Sequence, residues 1–254
     1  MNTMNKKQFK NLLEESAKNL LEESANHPET IQGIYNWCDR WCERCSKTAN
    51  CTVYKTSVQL PSDSFDDLFK SLSVVFEATI DMLKEYAEKS GIDFESMEDS
   101  DIEDDNEEED YLIRYGDGIT LSKQYAPLVK QWLDSLKSKN PVGMEVRFDD
   151  TVLSDCLEVV QWYQHFLQVK LRRALMSQKD ETDIQLDPYD SLGTAKLLLV
   201  SIERNIGAWG YIYQKFPEDE DELLAILICL QKLGNKVEQI FPDARAFIRP
   251  GFDK

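Results

Sequence analysis

Thr151-Val-Leu-Ser-Asp-Cys-Leu-Glu-Val-Val-Gln-Trp-Tyr-Gln-His-Phe-Leu-Gln-Val-Lys-Leu-Arg-Arg-Ala-Leu-Met-Ser-Gln178 reads as one helix, starting after Asp149-Asp150 and apolar around most of its circumference. Such a helix has to be covered by neighbours on several sides, which places it in a bundle. The flanking sequence supplies them. One helix runs from about Leu121 to Ser138 and is closed by Lys139-Asn-Pro141, after a turn at Gly116-Asp-Gly118. Another starts with Asp187 as cap, Pro188 at the first helical position and Asp190 three residues after the cap. A third begins at Pro217-Glu-Asp-Glu-Asp, where negative charge complements the helix dipole, and stops before Pro242.

Toward the N-terminus the pattern continues. Ser64 and Asp67 have capping-box form for a helix ending near Gly91, with Phe65, Leu68, Phe69, Leu72 and Val75 on one stripe. Pro28 opens a helix that runs through a cluster of cysteines. The octapeptide Lys-Asn-Leu-Leu-Glu-Glu-Ser-Ala occurs twice, at Lys10–Ala17 and Lys18–Ala25, and lengthens an amphipathic helix. Strand-like alternation is nearly absent, with Thr52–Leu60 a poor candidate. The expectation is an all-α protein of about seven helices: an antiparallel bundle over residues 61–254 and an N-terminal cysteine-containing lobe over 1–60, packed as one compact unit.

Only 10 Gly and 8 Pro occur in 254 residues, which agrees with helices. The net charge of −18 is uneven: residues 98–110 hold ten carboxylates and no base, and residues 95–112 read as a solvated, disordered acidic loop. An acidic surface repels phosphate backbones, and Lys170, Arg172 and Arg173 are the nearest approach to a basic patch, so nucleic acid is not an expected partner. No signal peptide is evident, and the longest apolar windows, Ala195–Ile202 and Leu223–Leu230, are too short for a membrane span. The chain reads as cytoplasmic, where clustered cysteines are metal ligands more often than disulfides.

That cluster is Cys38, Cys42, Cys45 and Cys51, four of the six cysteines, within fourteen residues. Four thiols at this spacing suffice for one zinc ion or one iron–sulfur cluster. The plainer alternative makes Cys38, Cys42 and Cys45, at i, i+4 and i+7, small apolar residues on a helix stripe with Ile31, Ile34 and Tyr35; Cys51 lies outside it. On a straight helix Cys38 and Cys45 are roughly 10 Å apart along the axis. Zinc, with bonds of ~2.3 Å, needs sulfurs within about 4 Å of one another. Zinc therefore requires a helix break before Cys45, and a [4Fe–4S] cluster tolerates the spacing better.

Cys42-x2-Cys45-x5-Cys51, with Tyr54 just beyond, resembles the end of the iron–sulfur loop in the endonuclease III family of DNA glycosylases, which implies a [4Fe–4S] cluster. In that family the first cysteine stands further from the second than Cys38 does from Cys42. The helix–hairpin–helix glycine turn, the catalytic lysine and aspartate and the basic surface are missing, so the resemblance implies a cluster and not a glycosylase. Cys-x3-Cys-x2-Cys is also the spacing of radical SAM enzymes, but those need a β/α barrel. The tail Phe241–Phe252, with Trp162-Tyr163 and Ala208-Trp209, resembles helical proteins of bacteria.

Polar residues inside the helical stripes offer a second site. Glu158, Trp162, His165, Val169 and Arg172 fall on one line, while Lys196, Glu203 and Arg204 lie on the next helix. Glu158, His165, Lys196, Glu203 and Arg204 would make an acid–base pocket if they converged, or a buried ion network fixing helix register. A di-iron centre needs paired Glu-x-x-His motifs, which are absent. His27 reads as a surface residue, and Cys156 and Cys229 as inert core thiols. The expected function is a structural four-cysteine centre, [4Fe–4S] ahead of zinc, in a protein that binds a protein partner or small ligand; the alternative is an enzyme or redox sensor using the bundle pocket.

Overall fold

The computed structural model describes residues 29–58, 105–139, 150–180 and 190–254, with 80, 84 and 87–91 between them. The tandem octapeptide, most of the Ser64–Gly91 helix and the Asp187-Pro188 start lie outside these residues. The fold is all-α: α1 (Thr52–Val58), α2 (Asp105–Lys139), α3 (Thr151–Tyr163), α4 (Phe166–Asp180), α5 (Asp190–Lys215) and α6 (Glu220–Ile240), with short 3-10 turns and no strand among the described residues. The chain divides into two compact units, one of Met1–Tyr35 with Arg40–Asp104, the other of Asn36–Asp39 with Asp105–Lys254.

In the second unit α5 is the hub. It packs on α3, α4 and α6, while α2 packs on α6 and α4. Its buried residues run from Ser191 through Thr194, Leu198, Ser201, Ile202, Asn205 and Trp209 to Ile212, and include Gly193, Leu197 and Leu199 between them, so it is covered on more than one side. The 151–178 stretch is not one central helix. It divides at Gln164–His165, where the Gln164 N–H turns back to the Gln161 carbonyl (3.3 Å) and its side-chain amide donates to the Ala126 carbonyl on α2 (3.0 Å). α3 buries one face, Leu153, Leu157, Val160 and Tyr163, and Val152, Trp162, Val169 and Met176 remain exposed. Asp150 starts α3 by accepting the N–H groups of Val152 and Leu153, both at 3.1 Å.

α2 is longer than its sequence suggests. It begins at Asp105, so 105–112 of the expected acidic loop is helical. Carboxylates at a helix N-terminus are favoured by the helix dipole, which offsets their mutual repulsion. Gly116 and Gly118 lie inside this helix and not in a turn. A Cβ at Gly118 would stand 3.3 Å from Lys236 Cγ and 3.7 Å from Leu171 Cδ2, so the glycine lets α2 approach α6 and α4 closely.

Two groups of interior polar side chains pair with one another. Tyr125 donates to Asn205 Oδ1 (2.6 Å) and accepts from the Trp209 indole (2.9 Å), and Asn205 donates to the Ser201 carbonyl (2.8 Å). Burial pushes the Tyr125 hydroxyl up, against the opposing pull of the Trp209 bond, so it stays protonated. Asp219, buried at the start of α6, accepts the Trp132 indole (3.0 Å) and pairs with Lys139. Among the described residues no helix is long and apolar enough to cross a membrane.

Candidate metal centre

No α-helix runs through the cysteines. A 3-10 turn at Ile34–Trp37 is followed by Arg40 in the left-handed region (φ 60°), a second turn at Cys42–Arg44 and a third at Thr48–Asn50. Cys45 (φ −85°, ψ 122°) and Cys51 (φ −108°, ψ 118°) each close a turn in extended conformation, their N–H groups on the Cys42 and Thr48 carbonyls (3.1 and 3.2 Å). The Ile31 N–H donates to the Asn50 carbonyl (3.1 Å) and the Asn50 amide to the Glu29 carbonyl (2.6 Å). The reason for the departure lies in side chains that local propensity does not see. Trp37 and Asp39 are taken up by the bundle, and tertiary anchors outweigh helix propensities of a few tenths of a kcal/mol per residue (about 0.7 at most for ordinary residues).

This conformation bears on the metal. The chain breaks before Cys42, so no straight helix holds Cys38 and Cys45 apart, and reach does not separate zinc from a cluster. Cys38, Cys42, Cys45 and Cys51 are all half-buried; of the two thiols expected in the core, Cys229 is buried, while Cys156 is half-buried like the four. The Lys47 N–H points at Cys45 Sγ (3.4 Å), a backbone donor of the kind that supports metal-bound thiolates. Arg44 stacks over Trp41 (4.4 Å) and Arg40 over Tyr35 (5.6 Å). Among the described residues no three His, Cys, Asp or Glu side chains stand together as a metal-holding group. Ligation by all four thiols thus needs the turns to close on the ion, a coupling common to small metal sites.

The bundle candidates occupy separate places. Glu158 and His165 are exposed, on the line that also carries exposed Trp162, Val169 and Arg172. Lys196 donates to the Arg245 carbonyl (2.5 Å), and Arg245 pairs with Glu203 (2.6 Å) and with Glu238, so Lys196 and Glu203 meet through the C-terminal segment. Arg204 donates to Asp39 Oδ2 (2.7 Å) and to the Tyr163 hydroxyl (2.8 Å), which itself donates to Asp39 Oδ2 (2.5 Å). Burial, reinforced by Asp39, pushes the Tyr163 hydroxyl up to about 12. Sequence reading missed this triad because nothing in a single sequence pairs residue 39 with 163 and 204. Burial raises the thiols of Cys156 and Cys229, keeping both protonated.

Compared with known proteins, the chain matches no family model, no curated protein and no solved structure.

Proposed function

We propose that Cys38, Cys42, Cys45 and Cys51 bind one metal centre, a [4Fe–4S] cluster with zinc as the alternative, and that the protein acts by binding a partner in a reducing, cytoplasmic compartment. The supporting observation is the Cys42-x2-Cys45-x5-Cys51 run on tight turns: its thiols are half-buried, and Cys45 Sγ receives a backbone N–H. Cys229, by contrast, is buried, with its thiol donating to the Leu121 carbonyl (3.5 Å). With reach neutral, the spacing shared with the endonuclease III loop is what favours the cluster. Four thiolates fill a tetrahedral ion or the four cluster irons and leave no open position, so the centre is structural: it closes a segment that has little core of its own. The acidic charge of the chain argues for protein or small-molecule partners over nucleic acid.

Purification without oxygen, followed by iron, sulfide and zinc analysis, tests this reading. A cluster gives a brown protein whose colour is lost in Cys42→Ser. Stoichiometric zinc in a colourless protein moves the metal and keeps the site. Protein free of iron and zinc, with the same melting temperature in Cys42→Ser as in wild type, ends the proposal.

A further inference from the structure

Asn36–Asp39 groups with the bundle, while the residues on both sides of it group with the other unit. Its anchors lie within three residues. The Trp37 indole is buried over Gly193 of α5, where an added Cβ would stand 2.3 Å from the ring, and tilts against Phe247 (5.8 Å between centroids). Two positions on, the Asp39 carboxylate is held by Tyr163 (2.5 Å) and Arg204 (2.7 Å), and the Asp39 carbonyl accepts the Trp162 indole (3.1 Å). A slot with room for a flat ring, set beside a guanidinium and a phenol that clamp a carboxylate, is a built acceptor for an aromatic-x-acidic segment.

The resident segment fits it imperfectly. Trp37 Nε1 and Thr194 Oγ1, next to Gly193, are buried and find no hydrogen-bond partner among the described residues. Arg40, immediately after Asp39, sits at φ 60°, a region that side chains rarely adopt. All three costs fall on the docked segment or its acceptor. Buried donors without partners and a strained backbone lower the barrier to exchange, and a phenylalanine ring in the slot would leave no stranded N–H.

We propose that this face of the bundle is a docking site for a partner protein's segment carrying an aromatic residue two positions before a carboxylate, and that Asn36–Asp39 is its built-in, displaceable occupant. The inference rests on the partner-binding half of the proposed function and makes no use of the metal. Release in cis competes with docking in trans, so the intact chain takes the partner weakly until its own segment lets go. A tethered segment acts at an effective concentration in the millimolar range, so the free site should take a ligand of ~100 µM affinity about tenfold more tightly than the occupied one.

The test uses the whole chain and a fluorescein-labelled peptide, Tyr-Asn-Trp-Ser-Asp-Arg, read by fluorescence anisotropy. The W37A/D39A variant should bind it about tenfold more tightly than wild type, and adding Gly193→Ala should abolish binding, because the new methyl fills the slot. Circular dichroism establishes that each variant keeps wild-type helicity; should the double variant not fold, Asp39→Ala alone serves, with a smaller gain in affinity expected. A folded variant that ignores the peptide, or binding indifferent to Gly193→Ala, overturns the proposal. A wild-type dimer that dissociates in W37A/D39A would name a second copy as the occupant and overturn it as well. Metal analysis of the same samples reports separately on the thiols: a chain that carries metal and ignores the peptide keeps that reading and loses this one.

Discussion

Half of α5 is buried, and its Asn205 and Trp209 both hydrogen-bond to the Tyr125 hydroxyl on α2. Between Glu29 and Lys55, by contrast, only Ile34 and Trp37 are buried, and the backbone is held by 3-10 turns of three or four residues. The bundle carries buried apolar area and a hydrogen-bonded polar cluster of its own. The cysteine segment has little of either: Asn36–Asp39 belongs with the bundle through Trp37 and Asp39, and on the proposed function a metal orders the thiols. The difference lies in the source of order.

The sharpest way to break this contrast is to truncate one tryptophan in each region. Trp209 is fully buried, edge-on to Trp132 at 5.2 Å, with its N–H on Tyr125. Trp209→Ala should cost about 3–5 kcal/mol in urea unfolding. Trp41 is half-buried between two turns, with Arg44 over its ring, and Trp41→Ala should cost under ~1 kcal/mol. Equal losses would mean that the cysteine segment has a core of its own.

Next in size is a single oxygen. Tyr125→Phe leaves the Trp209 N–H and Asn205 Oδ1 without their shared partner inside the bundle. Removing one member of a buried network strands the others, and the expected loss is about 1–3 kcal/mol by the same unfolding measurement. A neutral result would show that water enters the bundle and that its interior polar groups do not depend on one another.

How much of this was legible in the sequence follows from the same contrast. The helices α3 to α6 could be read because burial there repeats with the helical period, and Asp150 and Pro217 mark starts by local chemistry. The exchange of roles between α3 and α5 could not, since exposed Trp162, Val169 and Met176 look like core residues until their neighbours are placed. Gly116-Asp-Gly118 reads as a turn because the value of Gly118 lies in close approach by Lys236 and Leu171, which are distant in sequence. In the cysteine segment the thiol spacing was plain, yet the backbone carrying it was misread as helix. Trp37 and Asp39 within it meet Gly193, Tyr163 and Arg204, more than a hundred residues away.

A smaller effect separates local from long-range order through pH. The Asp150 carboxyl is held down to about 2 by the Lys215 ammonium first, then by the Leu153 N–H, with an opposing upward push from desolvation and a smaller pull from the Tyr211 hydroxyl. Its folded value lies below its ordinary 3.8, so its contribution to stability is fully present above about pH 4 and is lost as the pH falls through about 2. Asp150→Asn should therefore lower the melting temperature at pH 6 and converge with wild type toward pH 2. A gap that stays constant over that range would assign the effect to lost packing instead of charge.

The smallest expected effect is the most discriminating. In metal-free protein Cys51→Ser should shift unfolding by no more than about 0.5 kcal/mol, the range of surface substitutions. The turn that ends at Cys51 is made by its N–H on the Thr48 carbonyl, and its own carbonyl starts α1 by accepting the Lys55 N–H (3.2 Å); neither bond uses the sulfur. With metal at a hundredfold excess over its dissociation constant, the wild-type site gains about 2.7 kcal/mol from binding, and the serine variant forfeits that gain. The same substitution is then nearly silent in one condition and costly in the other. A large loss without metal would place Cys51 in an ordinary core, and silence in both conditions would leave the thiols without a ligand; either outcome removes the distinction between a region that orders itself and one that waits to be ordered.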